Sequence, residues 1–209
     1  MADDSTDMPT TDSPTAPPPT IDAVAAMLPT VRSQIDFAAE YTRSLLDATP
    51  RDVWFDFPTT DADRDDNVDT AGVEHATGHW PSNIAWQVGH LAVAKYGLLL
   101  FRLRGRSDED RELMPSRFRK RYAKGSRPSP DTDSQPSADE LYDRLAAIHA
   151  AGGRVLDSID PAALLEEEMM PYAVYPNKLG SLLFCPLHEQ VHAGQIGMIR
   201  RGLGLEPIR

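Results

Sequence analysis

One cysteine, Cys185, stands among 209 residues. That excludes a disulfide framework, a Cys-x-x-Cys redox pair and a cysteine-based zinc finger. No apolar run approaches the roughly 20 residues that a membrane span needs. Residues 1–20 lack both the basic start and the apolar core of a signal peptide. No stretch shows the period-2 alternation of a strand, and there is no internal repeat. The Gly-x-Ser-x-Gly elbow, the Walker loop and the dinucleotide glycine pattern are missing too. A soluble, cytoplasmic protein is expected, with no membrane partner.

What charge there is lies in blocks. The net charge is −11. Asp3, Asp4, Asp7 and Asp12 stand among residues 1–20 with no base, giving −4. Residues 56–74 hold seven acids against Arg64, giving −6. The remainder is nearly neutral, so the basic footprint of a nucleic-acid binder is absent and no nucleic-acid partner is expected. Residues 102–127 run the other way, with ten bases, four acids and a net +6. They read either as an anion site or as a solvated loop partly neutralised by the acidic insertion. Residues 1–20, rich in Asp, Ser, Thr and Pro, cannot bury enough apolar surface to offset their ordering and are expected to be disordered. Residues 21–209 form one domain.

That domain reads as four helices. The first spans about 21–48, with a break expected at Pro29. The second spans about 82–104, capped by Ser82 or Asn83 and ended by Gly105. It carries Ile84, Val88, Leu91, Lys95 and Leu98 on one mostly apolar stripe, and Trp86 and His90 four apart on a neighbouring face. The third spans about 137–158 and opens on a capping-box pattern, Ser137 and Glu140. The fourth spans about 181–201, with Pro186 implying a kink or a later start. The fold class is all-α, a four-helix bundle with long inter-helix loops. About 33 residues separate the first helix from the second. Loops of that length are functional or disordered.

The chemistry concentrates in the fourth helix. His188 and His192 lie four apart on one face, within reach of one divalent metal ion. Two ligands hold such an ion weakly, and His90, in the middle of the second helix, is the natural third. The alternative is that these are satisfied polar residues of a core. The string His188-Glu189-x-x-His192 also matches the zincin peptidases, with Glu189 as general base. Against that, Gln195 stands where the metzincin glycine belongs and no third histidine follows. Otherwise Glu189 is a solvated or salt-bridged carboxylate.

Several segments bear a further likeness. Trp86-Gln87-Val88-Gly89-His90-Leu91-Ala92 resembles the "W-x-x-G-H-L-A" helix of the DinB/YfiT-like superfamily. His188 to Ile196, followed by Arg200-Arg201-Gly202-Leu203-Gly204, resembles that family's closing helix. Gly125-Ser126-Arg127-Pro128 and Pro136 to Leu141 resemble its approach to helix three. The resemblance implies a DinB-like metal-binding four-helix bundle, often homodimeric, with one divalent ion on His90, His188 and His192. Zinc or nickel comes first, with iron and cobalt also suited to imidazole. It also implies a metal-dependent hydrolase, or a transferase using a low-molecular-weight thiol on a small-molecule substrate. A non-catalytic metal- or small-molecule-binding bundle is the alternative. The 56–80 insertion and the acidic start depart from the family pattern.

Other residues carry weaker signals. His75 and His79 repeat the four-residue spacing in a Gly- and Pro-rich loop and read as loop histidines. Asp61, Asp63 and Asp65 begin like a calcium loop, but Asp66 replaces its glycine and Gly72 its closing glutamate. Cys185 is a thiolate, an extra ligand or a small buried residue. Gln195 lies on the metal face and can bond a ligand histidine or a metal-bound water. Tyr172 and Tyr175 precede the fourth helix, near the pocket.

Overall fold

The computed structural model describes residues 19–58, 82–170 and 173–208. Nearly all of the expected tail, most of the acidic insertion with His75, His79 and the Asp61–Asp65 run, and Tyr172 lie outside them. Among the described residues the protein is all-α. It has no strand, and its single isolated bridge joins Glu167 to Asn177. Four helices are long. α1 is Ile21–Asp47. α2 is Ile84–Tyr96, prolonged by a π-turn at Gly97–Phe101 and a last turn at Arg102–Arg104. A shorter α3, Ser116–Tyr122, comes next. α4 is Ala138–Ser158 and α5 is Lys178–Gly202.

The start signals hold. Asn83, fully buried, caps α2 by accepting from the Trp86 N–H at 2.9 Å. Its amide also donates to the Phe55 and Ser129 carbonyls, tying two loops to that helix end. Ser137 and Glu140 form the capping box of α4. Gly105 closes α2 at φ +78°, a backbone region that glycine enters without strain.

The prolines behave otherwise than the sequence suggests. α1 runs through Pro29 unbroken. Pro29 and Ala25, whose carbonyl loses its partner, are both exposed, so water can satisfy that oxygen. α5 starts earlier than expected, at Lys178, and continues through Pro186. The Asn177 side chain caps it by accepting from the Gly180 N–H at 3.1 Å. Gly180 suits this start because a Cβ there would sit 2.1 Å from the Tyr175 carbonyl oxygen.

α2 is the central element. It packs on α4, α5 and α3, and α1 packs on α5. Because α2 has neighbours on several sides it is apolar nearly all round. By length and composition Ile84–Arg104 would suffice to cross a membrane, yet 67% of its most apolar stretch is buried inside the fold. Two apolar clusters result, one centred on α2 and α4 and the other between α1, the end of α2 and α5. α3 and the turn before it fall inside the basic stretch that reads as loop from sequence. Asp110 anchors that turn. It is buried and accepts from Arg104, the Tyr96 hydroxyl and the Ser107 N–H. The Arg104 guanidinium holds its carboxyl well below the usual carboxylate range.

Candidate metal centre

α2 presents His90 and α5 presents His188 and His192, one helical turn apart. Their nitrogens lie within 4.8 Å of one another. The ring centroids of His90 stand 5.6 Å from His188 and 4.8 Å from His192, and the last two are 4.5 Å apart.

Neighbouring groups orient two of the rings. The Tyr122 backbone carbonyl, on α3, stands 2.8 Å from His90 Nδ1. A carbonyl only accepts, so Nδ1 carries the proton and Nε2 keeps its lone pair. The Gln87 amide oxygen pairs with His192 Nδ1 and exposes Nε2 there in the same way. Gln87 is itself fixed, its amide nitrogen donating to Ser82 Oγ at 2.8 Å. Trp86 stacks on His90 at 4.9 Å with planes 6° apart. Its indole N–H donates to Ser126 Oγ at 3.0 Å. Phe184 packs against His188 at 5.6 Å.

Gly89 makes this arrangement possible. A Cβ at that position would lie 2.4–2.6 Å from the Tyr122 ring. The missing side chain therefore lets α3 approach α2 closely enough to bring the Tyr122 carbonyl to His90.

The rings are neutral at ordinary pH. Burial, and then the neighbouring imidazoles, push His188 down to about 4 and His192 to about 3. Burial lowers His90 too, against the Tyr122 hydrogen bond, which favours its charged form. His149 is pushed to about 4 by burial and Lys95. An unfolded chain takes up protons at these rings below pH 6.5, while the folded chain does not until much lower pH. The metal-free protein is therefore expected to lose stability steadily as pH falls from about 6.5 towards 4. Urea midpoints across that range check it, and His188→Gln with His192→Gln is expected to flatten the slope.

The remaining candidates divide. Gln195 hydrogen-bonds His192, favouring that ring's charged form. Cys185 is buried outside the cluster, and burial pushes its thiol up to about 12, so it is a small apolar residue rather than a thiolate. Tyr175 packs partly buried against the second apolar cluster. Glu189 does not join the histidines. Its carboxylate is 2.7 Å from Lys95 Nζ, both side chains are 2% exposed, and they line a small separate cavity with His149. Lys95 also donates to His149 Nδ1 at 3.4 Å, and His149 Nε2 reaches Asp36 at 3.2 Å.

Sequence reasoning missed Gln87, the Tyr122 carbonyl, His149 and the Lys95–Glu189 pair. Only Lys95 left a signal, as the one charge on an apolar stripe. A groove of about 950 Å³ leads to His90 and His188. Val93, Leu98, Met170 and Phe184 are among its apolar lining residues, and Arg102, Arg119, Lys120 and Lys124 supply its charge.

Fold and site together define an all-helical protein with three neutral imidazoles converging from two helices, two of them lining a groove. The family model described as the DinB superfamily matches residues 34–196, and the chain belongs to that superfamily. No curated protein and no solved structure matches it.

Proposed function

We propose that this protein is a metal-dependent enzyme in which His90, His188 and His192 hold one divalent ion within a four-helix bundle of α1, α2, α4 and α5. The observation that carries the reading is the convergence of three uncharged rings, two with Nδ1 engaged so that Nε2 is left to ligate. An ion with three protein ligands and an open position lowers the pKa of bound water or thiol and polarises an electrophile. The chain's own groups orient the rings through Tyr122 and Gln87. The reaction class is hydrolysis or transfer of a low-molecular-weight thiol to a small-molecule electrophile. Glu189, ion-paired with Lys95, has no part in it as a base, which disfavours the zincin reading.

Metal content by mass spectrometry on untagged protein tests this. About one zinc or nickel per chain is expected, lost in both His90→Ala and His188→Ala. A wild type that stays empty after refilling with either metal overturns the reading. Turnover of nitrophenyl esters then separates a hydrolase from a thiol transferase, which would act only with an added thiol. Metal without either turnover would favour the non-catalytic bundle.

The homodimer implied by the family fits one surface. Phe37 of α1 and Leu187 and Val191 of α5 are 60–63% exposed beside an apolar groove between these helices. Sedimentation is expected to show a dimer that Leu187→Glu with Val191→Glu converts to folded monomer.

A further inference from the structure

We infer that the groove beside the three histidines selects amphipathic anions, taking an apolar body along its floor and an anionic group, carboxylate, phosphate or sulfonate, at Arg119 and Lys120. The inference rests on the site reading above only in placing the ligand's other end towards His90 and His188.

Four features carry it. The groove, about 950 Å³, is large enough for a small organic ligand. Its lining includes four cations and no carboxylate. Arg102 is already paired with Glu168. Arg119 and Lys120 are exposed on α3 and pair with no carboxylate among the described residues. Val93, Ala94, Leu98 and Phe184 of the same lining provide apolar surface.

A neutral ligand would gain the apolar contacts and only the weaker hydrogen bonds that an uncharged acceptor makes. An anion also gains charge-assisted hydrogen bonds, which are about twice as strong as neutral ones. The guanidinium of Arg119 offers a forked donor and Lys120 a mobile point charge, a pair suited to a multi-oxygen anion. α3 is also the helix whose Tyr122 carbonyl orients His90. The same short element thus presents the anion-binding side chains and sets the ligand geometry.

The test is calorimetric titration of the full chain with naphthalene-2-sulfonate and with its neutral isostere, the methyl sulfone. The sulfonate is expected to bind roughly tenfold more tightly at low salt, with the advantage shrinking towards 1 M salt. Arg119→Ala with Lys120→Ala is expected to remove that advantage and to weaken sulfone binding far less than sulfonate binding. Arg117→Ala, on the same helix but outside the groove lining, is expected to change neither. Equal affinity for the two probes, or an advantage that survives the double substitution, overturns the inference. Titration of chelator-treated protein beside zinc-refilled protein keeps the two readings apart. Sulfonate selectivity without metal supports the groove whatever becomes of the metal centre, and a metal centre without selectivity refutes the groove alone.

Discussion

Glu189→Ala is expected to destabilise the protein by about 3–5 kcal/mol, the usual cost of removing one member of a buried ion pair. Glu189 on α5 and Lys95 on α2 are each 2% exposed and stand 2.7 Å apart. Deleting either leaves the other charged in a medium that solvates it poorly. Lys95→Ala is expected to cost as much, whereas Lys95→Met combined with Glu189→Leu is expected to recover most of the loss, because neither charge is then stranded. Urea denaturation of the four proteins measures these differences. The result also bears on chemistry. Glu189→Gln is expected to retain its metal, since the carboxylate is no member of the histidine cluster. Unchanged stability together with abolished turnover in that variant would return Glu189 to the role of base.

Gly89→Ala is expected to weaken metal binding about 10–100-fold without touching a ligand, the range seen when a group that orients a ligand is lost. The new methyl would stand 2.4–2.6 Å from the Tyr122 ring. α3 must then lift from α2, and the carbonyl that fixes the His90 tautomer goes with it. Overpacking adds about 1–3 kcal/mol of destabilisation. Gly197→Ala is the control. Nothing lies within 4 Å of a Cβ there, so this helical position is expected to gain up to about 1 kcal/mol. Competition titration against a zinc-sensitive dye measures the first effect. Equal zinc affinity in Gly89→Ala and wild type would show that the Tyr122 contact contributes nothing to ligation.

The features legible in the sequence were the local ones. Ser137 and Glu140 announce a helix start because their bonds are made within one turn. His188 and His192 share a face because four residues make about one turn of helix. His90 falls in the middle of an apolar helix, and the motif around it, with its glycine, carried the resemblance. Pro29 departs from the sequence expectation because the cost of a helical proline depends on what can satisfy the freed carbonyl, and both Pro29 and Ala25 lie exposed to water. α3 was hidden in a run of charge, since only Phe118 and Tyr122 of its seven residues are buried.

By itself, then, the sequence determined an all-helical chain with three histidines placed to meet. Tertiary structure alone decided how they are held and which charges are structural. The group that orients His90 is a backbone carbonyl, which every residue possesses and which no side-chain pattern can mark. Glu189 is an ion-pair partner because Lys95 faces it from another helix, 94 positions away in the chain. Contacts of that separation follow from how helices pack, and the identity of the facing residue is set only when they do.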